Sequence, residues 1–164
     1  MNAIEFAYAQ FCEKRFLPLP EEKDLQNLEE RLGCILPAHF REFVLQYNGG
    51  RFSDPYIDLP SIGSPMEDGL NVIYGFNASH KSYELGNSVR VSIFNDGDHV
   101  EVLPIGDTPV GNAILLDVDS RAETYGSIWF KATDDHRHYP GEWLIVGETM
   151  EEFFGLLKEY TGGD

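Results

Sequence analysis

Apolar residues recur at helical spacing in three stretches near the start of the chain. Ile4, Tyr8, Phe11 and Cys12 share one face of a helix predicted over 4–16, and the run Phe16-Leu17-Pro18-Leu19-Pro20 breaks it. Leu25, Leu28 and Leu32 stripe a second helix. That helix opens on Glu21, Glu22 and Asp24, at the end where the dipole favours anions, and closes on Gly33. Phe40, Phe43, Val44 and Tyr47 stripe a third, from Ala38 to Tyr47. Pro37 stands at its first turn, where a missing N–H costs nothing, and Asn48-Gly49-Gly50 stops it.

Beyond Gly50 the period changes. Arg51 to Asp68 is rich in Pro, Gly, Ser and Asp and has no sustained repeat, so it reads as an ordered, irregular loop. Its apolar members Phe52, Tyr56 and Ile57 are either core plugs or partner contacts. Leu70 to Phe76 reads as a strand. Ser82 to Asn95 fits two patterns: Val89-Arg90-Val91-Ser92-Ile93 alternates like a strand, while Leu85, Val89, Ser92 and Ile93 match a helix face interrupted by Gly86. Asn95-Asp96-Gly97-Asp98 is a turn.

Strand patterns follow at Val100–Ile105, Ala113–Val118, Ser127–Lys131 and Trp143–Val146. The first three are joined by short, turn-rich links, which favours an antiparallel meander. Thr149-Met150-Glu151-Glu152 has the capping-box pattern and opens a last helix with Met150, Phe153, Phe154 and Leu157 inward. Thr161–Asp164 reads as a frayed tail. Helices, then strands, then one helix predict an α+β fold. Its mostly antiparallel sheet has roughly four to six strands, with the N-terminal helices and the C-terminal helix packed on it. One domain is expected over 1–164, with 1–20 an added helix and linker and the core at 21–160.

Charge narrows the function. The formal net charge is −16, from 28 acidic and 12 basic side chains. Nucleic acid and anionic membranes would be repelled, and a basic partner attracted. Hydrophobic residues at 42% and aromatics at 13% are enough for a packed core, so the acidity does not signal disorder. Cys12 and Cys34 are too few for a disulfide framework and read as small apolar side chains in a reducing compartment. The first residues carry no basic, apolar leader, which predicts a cytoplasmic protein.

Candidate chemistry is sparse. No phosphate-cradling loop, dinucleotide fingerprint or Gly-x-Ser-x-Gly elbow is present. Asp134-Asp135-His136-Arg137-His138 is the best metal candidate, but Arg137 opposes a cation and the patch reads as a polar loop. Asp117-Val118-Asp119-Ser120-Arg121 begins in the rhythm of a calcium loop, then places Arg121 where an oxygen is needed, so it reads as a strand-end cap. His39, His80 and His99 stand alone. No cofactor or catalytic set is expected.

Three groups of residues together resemble the SUKH superfamily. The first is Leu28-Glu29-Glu30-Arg31-Leu32-Gly33, Leu36-Pro37, Phe40, Phe43 and Asn48-Gly49-Gly50. The second is Leu103-Pro104-Ile105-Gly106-Asp107 with Gly111-Asn112 and Leu115-Leu116-Asp117, and the third is Gly126-Ser127-Ile128-Trp129-Phe130 followed by the helix at 149–157. The resemblance implies a helix within Ser82–Asn95. It also implies a non-enzymatic binding domain, since bacterial members are largely immunity proteins against polymorphic toxins and a fungal branch regulates cell-wall assembly. The leading expectation is therefore an immunity protein that docks an acidic surface on a basic toxin domain, a nuclease by preference. The alternatives are a metal-dependent hydrolase using His136 and His138, or a regulatory scaffold. Between Asp54 and Glu101 eight acidic residues face two basic ones. The expected partner-binding residues lie there: Phe52, Asp54, Tyr56, Asp58, Glu67, Asp68, Asp96, Asp98 and Glu101.

Overall fold

A computed structural model of the chain describes residues 1–53, 55–58, 69–95, 98–131 and 143–159. Helix α1 spans Ala3–Phe11. Asn2 and Glu5 close a capping box at its start, and Ile4, Ala7 and Phe11 are buried. The predicted helix over 4–16 therefore stops early. Cys12-Glu13-Lys14-Arg15 offers no large apolar side chain to extend the stripe, and Cys12–Arg15 instead forms strand β1 against Gly50–Phe52, strand β2. Helix α2, Glu22–Leu32, ends on Gly33 at φ 68°, with Leu25, Leu28 and Leu32 buried as expected. Helix α3, Ala38–Gln46, buries Phe40, Phe43 and Val44, and Pro37 sits one position outside it, as the N-cap.

Asn48 joins the helices to the sheet. It is fully buried at φ 62°. Its side-chain amide donates to Phe16 O (2.9 Å) and Phe76 O (2.7 Å), and its Oδ1 accepts from Phe76 N (2.9 Å). Two neighbouring glycines are needed for this fit. A Cβ on Gly49 would lie 2.2 Å from Ile73 O, and one on Gly75 would lie 2.4 Å from Asn48 Oδ1. Arg15 caps the end of α3, donating to Tyr47 O (2.6 Å) and Gln46 O. The Tyr8 hydroxyl donates to Asn48 O. The N-terminal addition is thus bonded into the Asn-Gly-Gly corner.

The remaining strands are β3 (Tyr56–Ile57), β4 (Val72–Ile73), β5 (Val91–Asn95), β6 (Asp98–Asp107), β7 (Ala113–Asp117), β8 (Ile128–Lys131), β9 (Leu144–Gly147) and β10 (Leu157–Lys158). The fold is α+β, with a larger sheet than the sequence predicts. Eight strands run β1-β2-β4-β6-β7-β8-β9 with β5 also on β6, and a separate pair joins β3 to β10; every pairing is antiparallel. The meander β6-β7-β8-β9 is as expected. β6 is long enough to serve two strands on one edge, β5 along residues 98–102 and β4 at 106–107.

Three expectations change. Leu70–Phe76 is strand only at Val72–Ile73. Ser82–Asn95 is not the helix that the family resemblance implied: short 3-10 turns at Lys81–Tyr83 and Leu85–Asn87 lead into β5. The Glu84 carboxylate bonds Gly86 N, Asn77 N and Ala78 N, and so holds the turn locally in place of a longer helix. The closing helix α4, Met150–Phe154, stops before Gly155, and Leu157 lies in β10 opposite Ile57.

All four described helices pack on one face of the large sheet, around Phe43, Phe52, Ile73, Leu103, Ile114, Phe130 and Phe154. The other face carries a smaller cluster of Val100, Val102, Leu115 and Trp129, with Ile93, Ala113 and Trp143 beside it. No described helix is long and apolar enough to cross a membrane. Cys12 and Cys34 are free thiols, and burial raises the pKa of both.

Candidate docking surface

Of the nine residues expected to meet a partner, the structure describes five: Phe52, Tyr56, Asp58, Asp98 and Glu101. Phe52 is a core residue, 3% exposed, with its ring 5.3 Å from Tyr8 and 5.9 Å from Phe154. Its position in β2, pointing to the helical side of the sheet, makes it a plug and removes it as a surface anchor. Tyr56 is half-buried in β3, opposite Lys158 and bridged to Gly69. Asp58 follows it, with its N–H on Leu156 O (2.8 Å). Asp98 and Glu101 belong to the β5–β6 hairpin of the large sheet. Asp54, Glu67, Asp68 and Asp96 lie outside the described residues, as do the insertion at 133–142 and its Asp134–His138 loop.

The structure also explains the acidic run after β7. Asp117 is buried and accepts from Asp119 N (2.9 Å) and Thr124 Oγ1 (2.6 Å). Asp119 accepts from the Arg121 backbone N–H (3.0 Å) and from its guanidinium at Nε (3.0 Å). The Arg121 hydrogen bonds hold the Asp119 carboxyl at a pKa of about 2, whereas burial raises that of Asp117. These carboxylates cap a turn. Among the described residues no group of three or more His, Cys, Asp or Glu could hold a metal ion.

A different acidic place is better formed. A cleft of about 340 Å³ opens between α1, α3 and the start of α4. Its floor is Ile4, Phe43, Tyr47 and Met150, and its rim carries Asn2, Glu42, Gln46, Thr149 and Glu151. The two glutamates are exposed and have no cationic partner among the described residues, where the ion pairs are Arg41 with Glu22 and Glu29, and Arg121 with Asp119. An apolar floor with carboxylates above it suits the stem and charged head of a lysine or arginine.

His39 fixes one wall of this cleft. Its Nδ1 accepts from Met150 N (3.2 Å), a helix-start N–H with no partner inside α4. That bond requires the proton on Nε2, which donates to Gly126 O (2.7 Å). One neutral imidazole thus ties α3 to α4 and to the β7–β8 turn. Burial lowers its pKa, against smaller upward pulls from the Gly126 carbonyl, Glu42 and Glu152. Sequence reasoning set His39 aside as isolated and read Glu151 and Glu152 only as helix-start residues. The signal it lacked was the meeting of α3 and α4, which no local period encodes.

Comparison with known proteins gives two findings. A family model described as the SMI1 / KNR4 family (SUKH-1) matches residues 19–155. The SPbeta prophage-derived uncharacterized protein YokK of Bacillus subtilis (strain 168) is 23% identical over 168 residues, covering 92% of this chain and 81% of that relative. No solved structure matches the chain.

Proposed function

Since this chain belongs to the SMI1 / KNR4 family (SUKH-1), we propose that it is an immunity-type protein. In this reading it binds a basic toxin domain, such as a nuclease, in the cytoplasm and performs no chemistry itself. The family supports a protein-binding role in general. The observation that carries the finer reading is the surplus of free carboxylates: the net charge is −16, and the described ion pairs engage only Arg41 and Arg121. A nuclease must present positive charge to hold phosphates. An acidic surface is steered to that groove, which raises the association rate and blocks substrate together. In this reading the cleft rimmed by Glu42 and Glu151 takes a lysine or arginine of the toxin as an anchor.

The test is binding to the polypeptide encoded beside this chain, with its toxic activity read in parallel. Association should be fast at low salt and slow by at least about tenfold between 0.05 and 0.5 M salt. The Glu42→Gln, Glu151→Gln double variant should release the partner faster. Absence of binding, or binding indifferent to both salt and the double variant, would reject the acidic-docking reading.

A further inference from the structure

Among the described residues strand β5 pairs only with β6, and it forms a sheet edge without the usual protection. Native edges are guarded by charges, proline or bulges, because free N–H and C=O groups invite another strand. Val91-Ser92-Ile93-Phe94-Asn95 has neither charge nor proline, and its pairing with β6 is unbroken from Val91↔Val102 to Asn95↔Asp98. Around it, Val89 and Phe94 are more than half exposed, at 60% and 64%. In so charged a chain, an apolar, uncharged, exposed edge is out of character.

The direction of its free groups follows from β6. Glu101 turns its carbonyl away from β5, to Val118 N (3.0 Å), and its N–H toward the Asp119 carboxylate. In an antiparallel pair a residue sends both backbone groups to the same side. Ser92, opposite Glu101, and Phe94, two residues on, therefore present their N–H and C=O groups at the outer edge. Val91, Ile93 and Asn95 spend theirs on β6.

We propose that β5 receives an extended segment of a basic partner protein as an added strand, a claim that rests on the docking reading above. The two faces of the hairpin define what fits. Val91 and Ile93 continue the Val100–Val102 side of the sheet, so alternate side chains of the incoming strand are apolar. Ser92 and Glu101 lie on the opposite face, where the Glu101 carboxylate takes the Ser92 hydroxyl and makes no ion pair among the described residues. The other side chains of the incoming strand are therefore lysine or arginine. A second copy of this chain is disfavoured as occupant, because it carries the same −16 charge.

The probe is a short acetylated and amidated peptide of alternating Lys and Val, followed by amide hydrogen exchange on the whole chain. In the free protein Ser92 and Phe94 should exchange quickly, and Val91 and Ile93 slowly. The peptide should slow Ser92 and Phe94 by at least about tenfold. Ser92→Pro removes an outward N–H while leaving the β5–β6 ladder intact, and should abolish the protection at Phe94. Phe94→Lys, which leaves the backbone unaltered, should weaken the peptide by charge repulsion. Peptide binding that leaves both amides unprotected, or binding to both variants as tight as to the native protein, would overturn the proposal. Protection that appears without peptide and grows with protein concentration would also overturn it, in favour of a second copy. If the neighbour-encoded polypeptide binds tightly yet leaves Ser92 and Phe94 unprotected, the edge proposal fails and the immunity reading stands.

Discussion

Asn48 shows how much one side chain can hold. It adopts a left-handed conformation that asparagine tolerates better than most residues, and its amide makes three hydrogen bonds to backbone that no regular element would satisfy. Asn48→Ala should lower stability by about 3–5 kcal/mol, from buried groups left unpaired and a strained backbone. Asn48→Gly keeps the backbone freedom and loses only the amide, so it should lie between the two; denaturant titration separates them. His39 makes a pH-dependent contribution. Its folded pKa is below the unfolded value of about 6.5, so the unfolded chain binds more protons on acidification. The stabilisation from neutral His39 is complete above about pH 6.5 and is lost as pH falls through the folded value. The melting gap between His39→Gln and the native protein should narrow as pH falls below about 6.5, whereas a gap unchanged with pH would contradict a His39 held neutral in the fold. The Asn-Gly-Gly motif was legible as a helix stop. Its cross-chain hydrogen bonds were not, because their partners Phe16 and Phe76 lie 32 and 28 residues away.

Whole elements were readable where their signals are local. α2 and α3 carry an apolar stripe between recognisable ends, and both lie within a residue or so of their predicted bounds. β1 carries no such signal: its residues are Cys12-Glu13-Lys14-Arg15, and it is a strand because β2 lies alongside. The two-residue strands β3, β4 and β10 are equally products of their neighbours. α1 lies outside the residues matched to the family, yet Ile4, Ala7 and Phe11 belong to the main core, and Tyr8 packs on Phe43, Phe52 and Phe154. The N-terminal helix is therefore structural in this chain. Phe11→Ala should cost about 3–5 kcal/mol. A chain begun at Leu19 should bind a hydrophobic dye and melt without a sharp transition; retention of a cooperative melt would show that the core closes without α1.

At the scale of the molecule, charge and shape separate. The helices cover one side of the sheet and the excess of acid faces outward, so like charges repel one another across the surface. Salt should raise the melting temperature of the isolated protein by a few degrees as it screens that repulsion, while weakening a basic partner's binding. Opposite responses in one titration would be hard to explain by a neutral interface. The acidity and the α+β class were legible from composition and element order, because both are sums over the chain. The proposed docking surface was legible only as a sign of charge. The cleft brings Ile4, Glu42 and Glu151 together from three helices, and no spacing along the chain records that meeting.

The division of β6 between two neighbours has a bearing on evolution. Its far half is tied to β4 and through it to the Asn48 corner, while its near half is paired to β5 at the margin of the domain. Substitutions along 89–95 can therefore accumulate without disturbing that corner. Relatives of this chain should diversify fastest on that ribbon and keep the corner fixed.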